Sequence, residues 1–246
     1  METLTAFREM GYITQDKILN NQELQELEVN LEELIANDFP GIPQEQIYFE
    51  VPGDKSTLKQ IQQLSLYSEY FSRLGSHPSI VALAEECLEG PVELKNMQYF
   101  NKVPGNNKGT PAHQDGYYFM ITPQEAVTMW LSLDHADADN GAVLYIPGSH
   151  LDGMRPHQRT KTLGFSQEIA DWSEGDTKAE IQMTAVPGDI LVHHSLTIHR
   201  AGENKTTRNR RSIGFIFYRA DVKIDEAAHA AYQKRLDEDL KSQGRI

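Results

Sequence analysis

Residues 187–206 read Pro-Gly-Asp-Ile-Leu-Val-His-His-Ser-Leu-Thr-Ile-His-Arg-Ala-Gly-Glu-Asn-Lys-Thr. A Pro-Gly-Asp break is followed by two short runs, 189–194 and 197–200, rich in the residues that favour strands. Similar runs lie near 92–101, 111–120, 126–134, 142–147, 180–186 and 211–219, interrupted by turn clusters at 104–107, 139–141 and 147–149. Many short strands without intervening helices predict a sandwich or jelly roll rather than a parallel sheet.

Outward from that core the pattern changes. Leu24, Leu27, Leu31 and Leu34/Ile35 recur at helical spacing. Leu58, Ile61, Leu64, Phe71 and Leu74 suggest a second helix after the Pro52-Gly53-Asp54 turn, and Ile80 to Leu88 a third, stopped by Gly90-Pro91. Residues 150–179 fit no strand pattern and read as a long lid or binding loop. A last helix is expected over 225–241. The chain thus reads as one mainly β domain over 1–246: helical support over 1–90, a jelly-roll core over 91–220 and a C-terminal helix over 221–246.

Among 246 residues the net charge is −13, which disfavours a nucleic-acid partner. Cys87 is the only cysteine, so no intrachain disulfide forms. No stretch resembles a signal peptide or a membrane span, which predicts a cytoplasmic protein. Monomer and homodimer are equally compatible with the sequence.

The motif His-x-Asp occurs three times, as His113-Gln114-Asp115, His135-Ala136-Asp137 and His150-Leu151-Asp152. On a strand, residues i and i+2 share a face, so an imidazole and a carboxylate can converge on one cation; one further histidine completes a two-His-one-carboxylate face. His135 and Asp137 run into a polar turn and read as solvated. His150 and Asp152 open the long segment and read as rim residues. His113 and Asp115 enter an aromatic stretch. The third ligand could be His193, His194 or His199, and spacing does not choose among them. Downstream, Arg210 alternates with Ser212 and Gly214, small neighbours that leave a guanidinium room to reach a carboxylate. A surface arginine ladder fits the same pattern.

These blocks, in this order, resemble the phytanoyl-CoA dioxygenase family of iron(II)/2-oxoglutarate oxygenases. The resemblance runs from about Leu94 to Tyr218 and rests on Pro111-Ala-His-Gln-Asp115, Trp130-Leu-Ser-Leu-Asp134, Asn140-Gly-Ala-Val-Leu-Tyr-Ile-Pro-Gly-Ser-His150, Pro187-Gly-Asp-Ile190 and His199-Arg-Ala-Gly-Glu-Asn-Lys-Thr206, followed by Arg210-Arg211. It implies a double-stranded β-helix, a jelly roll, with Fe(II) held by His113, Asp115 and His199, Arg210 rather than Arg211 anchoring the distal carboxylate of 2-oxoglutarate, and Trp130 lining that pocket. His194 then takes a supporting or structural position. The family usually carries a serine two residues beyond the distal histidine. This chain has Arg200-Ala201 there, and Tyr99 or Thr128 are candidate replacements for the missing hydroxyl.

The resemblance further implies consumption of O2 and 2-oxoglutarate, release of succinate and CO2, and oxidation of a C–H bond of a small organic molecule. Related halogenases lack the carboxylate ligand, so Asp115 favours hydroxylation, desaturation or ring closure over halogenation. Two alternatives share the scaffold: a cupin-type metalloenzyme that uses no 2-oxoglutarate, and a binding protein without turnover. Gln98, Tyr117, Tyr118 and Phe119 are candidate substrate contacts. The stretch containing His150, Arg155, His157, Arg159 and Lys161 is locally basic and suggests an anionic substrate.

Overall fold

The computed structural model describes residues 2–105, 108–162, 165–232 and 234. In chain order its strands begin with β1 (Tyr12–Gln15), β2 (Ile47–Phe49), β3 (Leu58–Ile61), β4 (Val92–Lys102) and β5 (Thr110–His113). Next come β6 (Ile121–Thr122), β7 (Ala126–Ser132), β8 (Val143–Tyr145), β9 (His157–Thr162) and β10 (Phe165–Ile169). The series ends with β11 (Ile181–Gln182), β12 (Ile190–His194), β13 (His199–Ala201), β14 (Arg210–Arg219) and β15 (Lys223–Ile224). A seven-stranded sheet, β1-β12-β7-β14-β4-β3-β2, faces a four-stranded one, β11-β8-β13-β5, and every recorded pairing within them is antiparallel. This is the predicted jelly roll.

Alternation explains how the large sheet divides its side chains. Met97, Tyr99, Val127, Met129, Leu131, Ile213, Phe215 and Phe217 all point outward into one apolar cluster. Leu27, Leu31, Ile80, Leu83, Ala84 and Leu88 complete that cluster from helices Asn21–Ala36 and Pro78–Leu88. Each fully buried leucine or phenylalanine there contributes about 1.5–3 kcal/mol of transfer free energy. The even-numbered partners on the other face, Gln98, Thr128, Trp130, Arg210 and Ser212, are polar or aromatic and line the interior between the sheets. The helix Asn21–Ala36 starts where Asn20 caps it: Asn20 Oδ1 accepts from the Gln22 and Glu23 N–H groups, and Glu23 accepts from the Asn20 N–H.

Several expectations are corrected. The first ninety residues are not only helical, because β1, β2 and β3 lengthen the large sheet. The helix expected across Leu58 to Leu74 is instead β3 followed by helices Leu64–Tyr67 and Glu69–Gly75. All four residues of β3 are buried, which suits a central strand, and Gln63 at φ 57 breaks the chain direction. The strand expected over 111–120 stops at His113 and gives way to a single helical turn, Gly116–Phe119. Of 180–186, only Ile181–Gln182 is strand.

The segment 150–179 is not a bare loop. It holds a 3-10 turn (Ser149–Asp152), the hairpin β9–β10 and the helix Glu174–Ala179, capped reciprocally by Ser173 and Asp176. The hairpin pairs with itself rather than with either sheet, so its polar residues carry none of the core alternation that marks the other strands. Residues 226–232 are helical; the rest of the helix expected to 241, apart from residue 234, lies outside the described residues.

The N-terminal strand docks on β12 through Gly11, at φ 77, whose carbonyl accepts from the His194 N–H and from Thr197 Oγ1 at 2.7 Å. The His194 ring lies 6.3 Å from Phe7 and 5.5 Å from His150. Burial first, then the neighbouring His150 and His193, pulls its imidazole down to about 4. An unfolded histidine titrates near 6.5, so between those values the unfolded chain binds the extra proton. Stability contributed by neutral His194 is present above about 6.5 and is lost as pH falls towards 4, by roughly 3 kcal/mol. Urea melts at pH 7 and pH 4.5 should show His194→Gln removing part of that acid sensitivity; an unchanged pH slope would contradict the assignment.

Candidate active site

The two strand histidines share one local device. His113 Nδ1 lies 2.7 Å from the Pro111 carbonyl, and His199 Nδ1 3.0 Å from that of Thr197. A ring nitrogen facing a carbonyl carries the proton, so each Nε2 is left bare and turned inward. β5 and β13 pair with His113 directly opposite His199, and the ring centroids are 4.3 Å apart. Burial first, then His193 and His113, pushes the His199 imidazole well below its usual range and favours the neutral, ligating form.

Asp115 reaches the same point by a different route from the one strand alternation suggests. The strand has ended, and Asp115 stands in helical backbone at the head of the turn Gly116–Phe119. Gly116 makes that turn fit, since a Cβ there would meet Gln124 Oε1 at 2.5 Å and Met154 Cε at 3.1 Å. Asp115 Oδ1 lies 3.4 Å from His113 Nε2 and 3.7 Å from His199 Nε2. One ligand atom from each of the three residues falls within 4.8 Å of the other two. Burial would raise the Asp115 carboxyl, but the surrounding His199, His113 and His193 outweigh it and hold the group well below the usual carboxylate range. Ligand atoms on one face of an octahedral cation stand about 3 Å apart, so the cluster needs only slight closure to hold one.

Across the interior lies a second charged group. Arg210 on β14 sits opposite Lys102 on β4, and none of the described carboxylates hydrogen-bonds to its guanidinium. Its Nε is buried without a partner, as is the Ser212 hydroxyl two residues on. Burial lowers Arg210 to about 10, which leaves it charged at neutral pH, and pulls Lys102 down to about 6, with the Lys102 Nζ donating to the Gly202 carbonyl. Arg211 points the other way, into Asp134 and Glu28 at 2.8 Å each. Asn204, fully buried, ties the preceding loop by donating to the Lys102 and Arg208 carbonyls and accepting from Thr206. The Gly-x-Asn-x-Thr run is therefore a loop clamp that aims β14.

The model of the family described as phytanoyl-CoA dioxygenase (PhyH) matches residues 7–212. The chain belongs to that family. Peroxisomal phytanoyl-CoA dioxygenase of Homo sapiens is 31% identical to it over 179 residues, 69% of this chain and 52% of that protein. The match therefore spans about half the length of the human relative. Among solved structures, the alpha ketoglutarate dependent carbocyclase SnoK from nogalamycin biosynthesis superposes with a TM-score of 0.74 at 22% identity, covering 94% of this chain and 89% of its own. EctD from S. alaskensis, solved with 2-oxoglutarate and 5-hydroxyectoine, gives 0.73 at 18% identity, covering 89% and 75%. Both share the jelly-roll fold.

Other residues singled out in this PhyH-family chain are distributed unevenly. Trp130 lies on the inner face, its ring 4.9 Å from Phe100 and flat against Gly214. A Cβ at Gly214 would sit 2.8 Å from Trp130 Cζ3, so Gly214→Ala must displace the indole. Overpacking of this kind costs about 1–3 kcal/mol, and urea unfolding followed by tryptophan fluorescence would measure it.

Thr128 Oγ1 donates to Asp115 Oδ2 at 2.5 Å, so its hydroxyl is engaged at the triad. Tyr99 is buried on the opposite, helix-packed face and does not line the interior, because strand alternation separates it from Gln98. Gln98 lies on the interior wall and accepts from Gln60 Nε2 at 2.9 Å.

Near the hairpin, Tyr117 stacks on His157 at 4.5 Å, and the Tyr118 ring lies 5.9 Å from that of His113. Phe119 is buried in a separate apolar cluster with Ile121 and Tyr218. His150 packs beneath the N-terminal segment, its Nε2 3.2 Å from the Arg8 carbonyl, away from the triad. Arg155 is bound by Asp171 at 2.9 Å and Asp176 at 2.7 Å, so the free positive charge expected of it for steering an anion is already matched. The side chain of Lys161 lies outside the described residues. His135 and Asp137 form the expected solvated turn, with Arg208 on Asp137 at 2.8 Å.

Sequence reasoning did not anticipate Gln114. Its side chain is fully buried and donates to the Gly153 and Leu196 carbonyls while accepting from the Arg155 N–H, which ties the lid segment to the triad. His193, one of the three candidate third ligands, instead stands beside Asp115, and neither Tyr145 behind it nor Lys102 opposite Arg210 was anticipated. These contacts join residues far apart in sequence and left no local signal.

Proposed function

We propose that this chain is an Fe(II)- and 2-oxoglutarate-dependent dioxygenase that oxidises a C–H bond of a small organic molecule, with release of succinate and CO2. The observation that carries this reading is the half-buried Arg210 guanidinium on the interior wall that faces the triad, its enclosed Nε without a partner and no described carboxylate bonded to it. An unpaired buried charge is costly, and a dicarboxylate reaching from the triad would complete it. Two imidazoles and one carboxylate suit iron(II) and leave one side of the metal open. His113, Asp115 and His199 would hold the iron, Arg210 the distal carboxylate, and Trp130 one wall of that pocket. Ser212 is placed to supply the hydroxyl that Ala201 lacks. When bound, iron, O2 and 2-oxoglutarate together supply the oxidising power.

The protein's own part is to orient the co-substrate through Arg210 and to keep stray water out with Trp130 and Phe100. Gln98, Tyr117, Tyr118 and His157 are the candidate substrate contacts that remain near the interior or its mouth. We read residues 1–246 as one oxygenase domain. No helix among the described residues is long and apolar enough to cross a membrane, and we infer a cytoplasmic location. Anaerobic addition of Fe(II) and 2-oxoglutarate is expected to give a weak visible charge-transfer band, absent in His113→Ala and Asp115→Ala. Wild-type protein that binds the metal but shows no band would overturn the co-substrate assignment. A succinate-release screen over candidate small molecules then identifies the substrate.

A further inference from the structure

We propose that His193, backed by Tyr145, is a positioning residue that makes Asp115 bind the metal through Oδ1 alone. The inference rests on the iron-site reading above. His193 is fully buried on the inner face of β12, directly opposite Thr128 in register. Its Nε2 lies 3.1 Å from Asp115 Oδ2, the same oxygen that receives the Thr128 hydroxyl. An ionised carboxylate only accepts hydrogen bonds, so the His193 proton is on Nε2. Nδ1 is then bare, and the fully buried Tyr145 hydroxyl donates to it at 2.9 Å. Tyr12 stacks on Tyr145, with ring centroids 4.7 Å apart and planes 16° from parallel, and confines the phenol. The relay Tyr145–His193–Asp115 therefore sets the tautomer of the one ring and the rotation of the other group.

The consequence falls on the metal's open side. Oδ2 has two donors, Thr128 and His193, whereas Oδ1 faces His113 and His199. Bidentate ligation by Asp115 would set the metal against Thr128 and His193 for the lone pairs of Oδ2, displacing at least one of them, and would occupy a position that co-substrate or O2 needs. His193 itself is close enough to be mistaken for a ligand, its ring 4.2 Å from that of His199. Its Nε2 is nevertheless directed at the carboxylate, and it is not among the three residues whose ligand atoms cluster. Partners of this kind typically change metal affinity about 10–100-fold when removed.

The test uses Co(II) as the probe, titrated anaerobically into wild type, His193→Leu, His193→Gln, Tyr145→Phe and His199→Ala, with visible d–d spectra and circular dichroism. His193→Leu is expected to weaken Co(II) binding about 10–100-fold and to alter the d–d bands. In His193→Gln the amide N–H can still donate to Oδ2, so affinity and spectrum should return close to wild type. A folded His193→Leu protein with wild-type affinity and spectrum overturns the proposal. So does a His193→Gln loss as deep as that of His199→Ala, which would make His193 a ligand. If His193→Leu does not fold, Tyr145→Phe decides, since it keeps the packed ring and removes only the donor. A measurable weakening with altered bands supports the relay, and no change overturns it. Wild-type protein that fails to bind Co(II) would instead sink the metal-site reading on which the relay depends.

Discussion

Arg210→Met is expected to raise the KM for 2-oxoglutarate by about 10²–10³-fold and, at the same time, to stabilise the protein without co-substrate. The two effects have one cause. Arg210 is half-buried with an enclosed, unpartnered Nε and no described carboxylate bonded to it, so in the free protein its desolvated charge is offset only at a distance, by Asp134. Removing such a charge relieves a penalty of roughly 1 kcal/mol or more. In the complex the same charge would meet a carboxylate, and breaking a buried pair costs about 3–5 kcal/mol. Urea melts of the apo protein and steady-state kinetics over a range of 2-oxoglutarate would measure both signs. A variant that is less stable and has an unchanged KM would place Arg210 in the fold rather than in the site. Arg211→Met should behave in the opposite way, because Arg211 is engaged by Glu28 and Asp134 on the outer face and supports the helix Asn21–Ala36.

His199→Ala should abolish iron binding within the range that can be titrated, a loss well beyond the roughly 100-fold expected for a supporting residue. Turnover should fall with it, to the level of protein stripped with a chelator. The control is His194→Ala. His194 is five residues away and on the other face of its strand, packed against Phe7 and His150. Its loss should leave iron affinity within a few-fold while lowering stability at the N-terminal docking site. Anaerobic Fe(II) titration of the two variants separates a ligand from a structural histidine. Equal losses in both would show that the variants respond through folding alone.

Much of the jelly roll was legible because its central strands alternate cleanly. Val127, Met129 and Leu131, like Ile213, Phe215 and Phe217, fall at every second position and face the same helix-covered core. The helix over residues 21–36 was equally readable from its leucines. β3 was not, since Leu58, Lys59, Gln60 and Ile61 are all buried and have no period. The hairpin β9–β10 was missed for the opposite reason: it pairs only with itself and shows no apolar alternation. The turn Gly116–Phe119 was hidden by its aromatic residues, which read as strand formers but leave the strand where Asp115 enters helical backbone.

By itself the sequence determined which residue types were available and in what order. His113-Gln-Asp115, His199 with its Gly-x-Asn-x-Thr run, and Arg210 with its small neighbours are local patterns, and their order singled out the family. Only the tertiary structure decided which atoms meet. Pairing of β5 with β13 sets His113 against His199, whereas pairing of β7 with β12 brings His193 and Thr128 to the same oxygen of Asp115. The physical reason is that register, not spacing, sets contacts between strands distant in sequence, and a shift of one residue would send each of these side chains to the other face.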